Sequence, residues 1–258
     1  MSCIYKYKGQ KYSEKQFKEY FINNKQEFVT SIAKNKDVVD SFKRKMEGID
    51  YVFSQSPELA SIGSKTQYLK YLSTIFPNSK IKDIVYHGTN RKFDKFDLSF
   101  NSAFEYNEVA AIFFSNKREV ANNYIIQNSK LLKDKIIVSS IINVKDSIED
   151  NHENLEHKGN TKFKSNLEKA KKEGKDGYIA RNINDGGEGD VFAVFEPEQI
   201  HVLGSKLDIQ TFKDFMAFEN SEFSKYGTYQ QFRDFIINKS SIEIENKLIE
   251  TSKINRVC

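Results

Sequence analysis

Ile84-Val85-Tyr86-His87-Gly88-Thr89 is an apolar run that closes on a histidine and a glycine, and its reading decides the fold. A short β-branched and aromatic run of this kind predicts a strand. Ile112-Phe113-Phe114-Ser115 is a second such run, and the polar helical stretch after it carries Tyr124. A histidine at a strand end, a following glycine and aromatics at positions 113 and 124 are together suited to handling a nucleotide.

Outward from this stretch, short apolar runs recur at 83–87, 110–115, 136–144, 177–181, 190–196 and 200–203. Connectors rich in Asn, Asp, Ser and Gly separate them, and helical patterns occupy 116–128 and 161–173. Five to seven short strands with few helices predict an α+β domain over residues 81–205. Asn116-Lys117-Arg118-Glu119 has the form of a helix cap. Ile136-Ile137-Val138-Ser139-Ser140-Ile141-Ile142 is long and β-branched, which predicts a central strand. Asp185-Gly186-Gly187-Glu188-Gly189 is too glycine-rich for a regular element and reads as a mobile turn.

The first 80 residues have another pattern. Tyr5 to Tyr12 alternates aromatic and polar residues around Gly9, predicting a hairpin. Ser13-Glu14-Lys15-Gln16 follows as a capping box. Two helices are expected over 14–47, broken near Asn23-Asn24 and stopped by Gly48. Ser56-Pro57-Glu58 opens a short helical turn, and Thr66–Phe76 is expected to be a helix. Beyond Gly204-Ser205 the chain turns helical again over 206–218 and 228–238, and its polar end, 239–258, is expected to fray. The organisation is therefore a helical region over 1–80, the α+β domain over 81–205 and a helical extension over 206–258.

Composition bounds the function. The chain has 258 residues, 38% hydrophobic and 29% charged, and no run long enough to span a membrane. The N-terminus lacks the basic-then-apolar design of a secretory signal. Cys3 and Cys258 sit at the two ends, which points away from a disulfide-stapled core. His152 and His157 lie in a polar stretch that fits no standard metal spacing and reads as a solvated loop. The net charge of +4 is uneven: 14 Lys/Arg stand against 8 Asp/Glu in residues 1–80, which leaves 26 against 28 beyond. Because those lysines alternate with Glu14, Glu19 and Glu27, the basic excess reads as a solvated helix surface; an acidic partner or nucleic acid is the sharper alternative.

Three segments carry a family resemblance: Tyr86-His87-Gly88-Thr89; Phe113-Phe114-Ser115 with Ala121-Asn122-Asn123-Tyr124; and Val191-Phe192-Ala193-Val194-Phe195-Glu196-Pro197-Glu198-Gln199-Ile200. In order and spacing they resemble the signature strands of ADP-ribosyltransferases of the poly(ADP-ribose) polymerase and diphtheria-toxin branch. More narrowly, they resemble the transferase-like domains of phage and mobile-element proteins. The resemblance implies a split antiparallel sheet core with helical extensions at both ends. It also implies NAD as co-substrate, held by Tyr86, His87, Gly88, Thr89, Phe113, Ser115 and Tyr124. Phe113 and Tyr124 fall at the two positions that sandwich nicotinamide, whose cationic ring is attracted to aromatic faces. His87 would fix a ribose hydroxyl; a core histidine bonded to a backbone carbonyl is the plainer alternative. Arg91 and Lys92 would meet the pyrophosphate or be ordinary loop charges.

One departure matters for the chemistry. The glutamate of the last signature strand is replaced by Val191, with Asp190 before it and Glu188 in the glycine turn. Strand alternation aims Asp190 away from Val191's face. The expected catalytic set is His87, Tyr124 and Asp190, and single-unit transfer fits better than chain building. The implied activity is NAD-dependent mono-ADP-ribosyl transfer, a glycosyltransferase reaction that releases nicotinamide. Its acceptor would be a host protein or nucleic acid, with no membrane and no metal. The implied setting is a toxin-like effector of a phage or mobile element, acting in the host cytoplasm or carried in a virion. The alternatives are a degenerate module that only binds NAD or ADP-ribose, and a phage structural or virion-packaged protein.

Overall fold

The structure, a computed structural model, describes residues 4–7, 10–13, 15, 16, 19, 36–91, 93–98, 109–128, 135–157, 159–225 and 227–235. The chain divides into two compact units, Met1–Glu47 and Gly48–Cys258. In the first, strands β1 (Ile4–Tyr7) and β2 (Gln10–Ser13) form the expected antiparallel hairpin, Tyr5 opposite Tyr12. The capping box is formed: Ser13 N–H donates to Gln16 Oε1 at 2.9 Å and Gln16 N–H to Ser13 Oγ at 3.3 Å. The expected break at Asn23-Asn24 and the tail 239–258 lie outside the described residues.

Helix α1 (Lys36–Gln55) runs straight through Gly48, where a stop was expected. The glycine serves packing instead. A Cβ there would lie 2.9 Å from both Ile84 Cδ1 and the Tyr86 hydroxyl. Helices α2 (Leu59–Ile62) and α3 (Lys65–Ile75) follow, α3 opened by a capping box between Ser64 and Gln67.

The larger unit holds a seven-stranded mixed sheet of β3 (Val85–Thr89), β4 (Ile112–Ser115), β5 (Ile136–Ile142), β6 (Ser147–Asn151), β7 (Gly177–Asn184), β8 (Glu188–Val194) and β9 (Ile200–Val202). Their order is β6-β7-β8-β4-β3-β5-β9, so the class is α+β. All neighbours are antiparallel except β6 and β7. Helix α4 (Arg118–Asn128) connects β4 to β5, and α5 (Thr161–Lys172) is the crossover between the parallel pair. β5 sits beside the edge strand β9, and β4 is the central strand. β5 is apolar because residues on both its faces are buried, which does not require the middle of the sheet. β6 gave no apolar signal: it is an edge strand, Ser-Ile-Glu-Asp-Asn, with Ile148 alone packed on the core.

Alternation along the strands builds two cores. Val85, Ile112, Phe114, Val138 and Phe192 point to one face, with Phe96 over them. Phe113, Tyr178, Ala180, Val191 and Ala193 point to the other, under Phe163 and Leu167 of α5. A separate helical layer joins α3 to α6 (Lys206–Glu219), where Tyr68, Tyr71, Phe212 and Phe215 are buried. Its centre is polar. Asp208, fully buried, accepts from the Tyr68 hydroxyl at 2.6 Å, the Tyr71 hydroxyl at 3.0 Å and Gly204 N–H at 2.7 Å, and lies 2.8 Å from His201 Nε2. Burial, followed by the Asp208 charge, raises both tyrosine pKa values well above the usual phenol range.

Candidate active site

Backbone directions locate a break in the sheet. Asn143 N–H donates to Gln199 O at 2.8 Å and Leu203 N–H to Ser139 O at 2.9 Å, so the odd-numbered backbone groups of β5 face β9. The even-numbered ones face β3, where Val138 opposes His87. Alternation then turns the N–H and C=O of Tyr86 and Gly88 toward β4. Asn116 N–H donates to Asp190 O at 3.2 Å, so on β4 it is Phe113 and Ser115 that face β3. Tyr86 pairs with Ser115, and among the described residues the ladder stops there. The amide of Gly88 is aimed into the split beyond it.

His87 bridges the same split. Its Nδ1 lies 2.8 Å from Phe113 O, a pure acceptor, so Nδ1 carries the proton and Nε2 is left as an acceptor. The ring packs edge-on against Phe96 at 5.0 Å. Burial lowers its pKa from 6.5, with the Phe113 bond opposing in part, so the imidazole is neutral at neutral pH. The carbonyl bond of a core histidine is therefore made, and the ring lies on the sheet face of Val85, Phe96 and Phe114, opposite to Gly88, Phe113 and Val191.

Helix α4 is drawn tightly over the split. A Cβ on Gly88 would lie 2.1 Å from the Ala121 carbonyl oxygen, so only glycine admits the helix at this height. One turn on from Ala121 stands Tyr124, half-buried, its phenol pushed up to about 12 by burial and then by the charge of Asp185. Phe113 faces the same side of the sheet, 6.3 Å from the ring of Phe163 on α5. Val191, 4% exposed, lies on that face as an apolar floor.

Two groups that the sequence pattern placed in solvent belong here. The glycine turn is tethered: Asn123 Nδ2 donates to Gly186 O at 2.7 Å, and Gly187 N–H to Asn184 Oδ1 at 3.0 Å. Asp185 Oδ1 lies 3.4 Å from His157 Nδ1, and the His157 ring stands at right angles to Phe163 with centroids 4.3 Å apart. The expected solvated loop is also ordered at His152, which is 1% exposed. Asn160 caps α5 by accepting Phe163 N–H at 3.0 Å, and its amide nitrogen lies 3.1 Å from His152 Nδ1. His152 Nε2 in turn meets the Tyr178 hydroxyl at 2.7 Å. The signals missed were an Asn-Thr helix start and an Asp-Gly-Gly hairpin turn, both of which fix the side chains before them.

Asp190 sits on the opposite sheet face, with Phe192. Its Oδ2 accepts from Arg181 Nη1 at 2.8 Å and its Oδ1 from Asn182 N–H at 3.0 Å. It thereby clamps a bulge in β7 at which Asn182 adopts φ 49°. Asn116, read as a helix cap, instead accepts Asp190 N–H on Oδ1 at 2.8 Å, because it must bridge β4 to β8. Ser115 does the local capping, accepting Lys117 N–H at 3.2 Å, and is buried. Thr89 Oγ1 accepts Arg91 N–H at 3.2 Å, Tyr86 is a core residue, and Glu188 is exposed at the start of β8. Lys92 lies outside the described residues. Among the described residues no three His, Cys, Asp or Glu side chains gather as metal ligands, and no helix is long and apolar enough to cross a membrane.

Residues 82–207 match the model of a family described as ADP-ribosyltransferase in polyvalent proteins. No curated protein and no solved structure matches the chain.

Proposed function

We propose that this chain, whose residues 82–207 form an ADP-ribosyltransferase-like domain, moves a single ADP-ribose unit from NAD to a macromolecular acceptor and releases nicotinamide. The observation that carries this is the split beyond Tyr86–Ser115, toward which the Gly88 amide is turned and over which Ala121 of α4 lies. A carboxamide needs one donor and one acceptor on a rigid edge, and a strand residue whose N–H and C=O turn toward a break in the ladder offers both. The Tyr124 ring faces the bound pyridinium. His87, whose ring approaches the split from the opposite sheet face, accepts on Nε2 from a ribose hydroxyl and so fixes the sugar, which lowers the entropic part of the barrier.

NAD is here a co-substrate, and its own glycosidic bond supplies the driving force. The protein orients the ribose, shields the leaving ring from water and places negative charge near C1′. The acceptor is a protein or nucleic acid of a host cell, and the setting is that of a mobile-element effector. A second reading is favoured by one observation: Val191, where the resemblance puts the catalytic carboxylate, is apolar and buried. Under it the domain grips NAD or ADP-ribose without chemistry.

The test is incubation with adenylate-labelled NAD and a bacterial lysate, followed by protease or nuclease digestion of the labelled fraction. Label that enters macromolecules, and is lost with His87→Ala, is the expected result. NAD that stabilises the folded protein without any transfer favours the second reading.

A further inference from the structure

We propose that Asp185, held by His157 at the mouth of the Phe113–Tyr124 site, supplies the carboxylate that the last signature strand lacks. This rests on the function proposed above and names the group that makes the site catalytic.

Gly88, Phe113 and Val191 share one side of the sheet, between α4 and α5. A glutamate at 191 would point to that side; valine leaves the floor without charge. Asp190 does not replace it, because both its oxygens are engaged, by Arg181 Nη1 and by Asn182 N–H. The β7–β8 turn closes over the correct side. Its Gly186 carbonyl is bound by Asn123, the residue before Tyr124 on α4, and its Asp185 meets His157, whose ring packs at right angles on Phe163, the neighbour of Phe113. The side chains of His157 and Asp185 are 26% and 23% exposed, so the pair is shielded yet reachable. The turn is rigid enough to aim it, with Asn123, Asn184 and the Asp185 N–H to Gly187 O bond at 3.1 Å fixing its backbone.

In the reaction the bond from C1′ to the pyridinium nitrogen breaks, and its electron pair stays on nitrogen, so nicotinamide leaves neutral. Positive charge spreads over C1′ and the ring oxygen of the ribose. A carboxylate beside it stabilises that state more than the ground state, in which the charge lies on the pyridinium. The acceptor's lone pair then forms the new bond to C1′, and its proton passes to the carboxylate. His157 is a positioning residue: it orients Asp185 and touches no reacting atom.

The experiment measures nicotinamide release and NAD-dependent thermal stabilisation together, in the full chain. Asp185→Asn keeps the shape and removes the charge; it is expected to lower kcat on the order of 100-fold while NAD still raises the melting temperature. Asp185→Glu restores a charge and recovers part of the rate, which separates chemistry from folding. His157→Gln retains more turnover than His157→Ala. Release by wild type that Asp185→Asn leaves within about twofold overturns this assignment and leaves the function intact. No release by folded wild type overturns both.

Discussion

The imidazole Nδ1 of His87 lies 2.8 Å from the carbonyl oxygen of Phe113, at the point where the strands carrying them stop pairing. A side chain thus replaces a ladder bond, and the sheet stays open by one residue without leaving that carbonyl unsatisfied. The bond also sets the tautomer that leaves Nε2 as an acceptor.

A pH dependence follows. The folded state holds His87 below its ordinary 6.5, chiefly by burial, so the unfolded chain takes up the proton first. This contribution is complete above about 6.5 and is lost as pH falls toward the lowered folded value. His152, also lowered by burial, acts in the same direction. Thermal melts taken downward from about pH 8 should show a decline that begins near 6.5, and it should be shallower in His87→Gln.

Gly88→Ala tests the helix approach. Its Cβ would meet a backbone oxygen at 2.1 Å, which no side-chain rotation relieves. A cost of about 1 to 3 kcal/mol is expected as α4 is pushed outward. NAD-dependent stabilisation should fall with it, since Tyr124 moves with the helix. Denaturant unfolding with and without NAD reads both.

Tyr124 should act through its ring rather than its hydroxyl. Tyr124→Phe is expected to keep NAD affinity within about twofold, whereas Tyr124→Ala should weaken it about tenfold, the loss of one cation–π and stacking contact. Isothermal titration of NAD into the three proteins decides it.

The Asp208 network is a prediction about stability alone. Asp208→Ala strands the Tyr68 and Tyr71 hydroxyls and the Gly204 amide in a buried site. A loss of about 3 to 5 kcal/mol is expected. A change below about 1 kcal/mol in chemical denaturation would contradict the network's role.

The sequence disclosed most about residues whose local pattern and tertiary role agree. The run at 84–89 is apolar because β3 is buried, and its glycine is needed where α4 lies on it, so the element and its special residue were both legible. Gly48 misled for the same reason inverted: glycine usually ends a helix, but here Ile84 and Tyr86 require the missing side chain. β6 was invisible because an edge strand with one solvated face carries little hydrophobic signal. Asp185 read as part of a mobile turn and His157 as part of a solvated loop because the two meet each other across 28 residues of sequence. Polar residues in glycine and asparagine turns acquire a role only when the turn closes over something, and single-chain periodicity does not record that.

The most direct measurement is nicotinamide released from NAD labelled in its pyridine ring, followed over time with purified protein and a lysate of acceptors. Release above the enzyme-free blank that disappears in His87→Ala, although that variant remains folded, is the expected result. Release equal to the blank from folded wild-type protein, across several acceptor lysates, would contradict it.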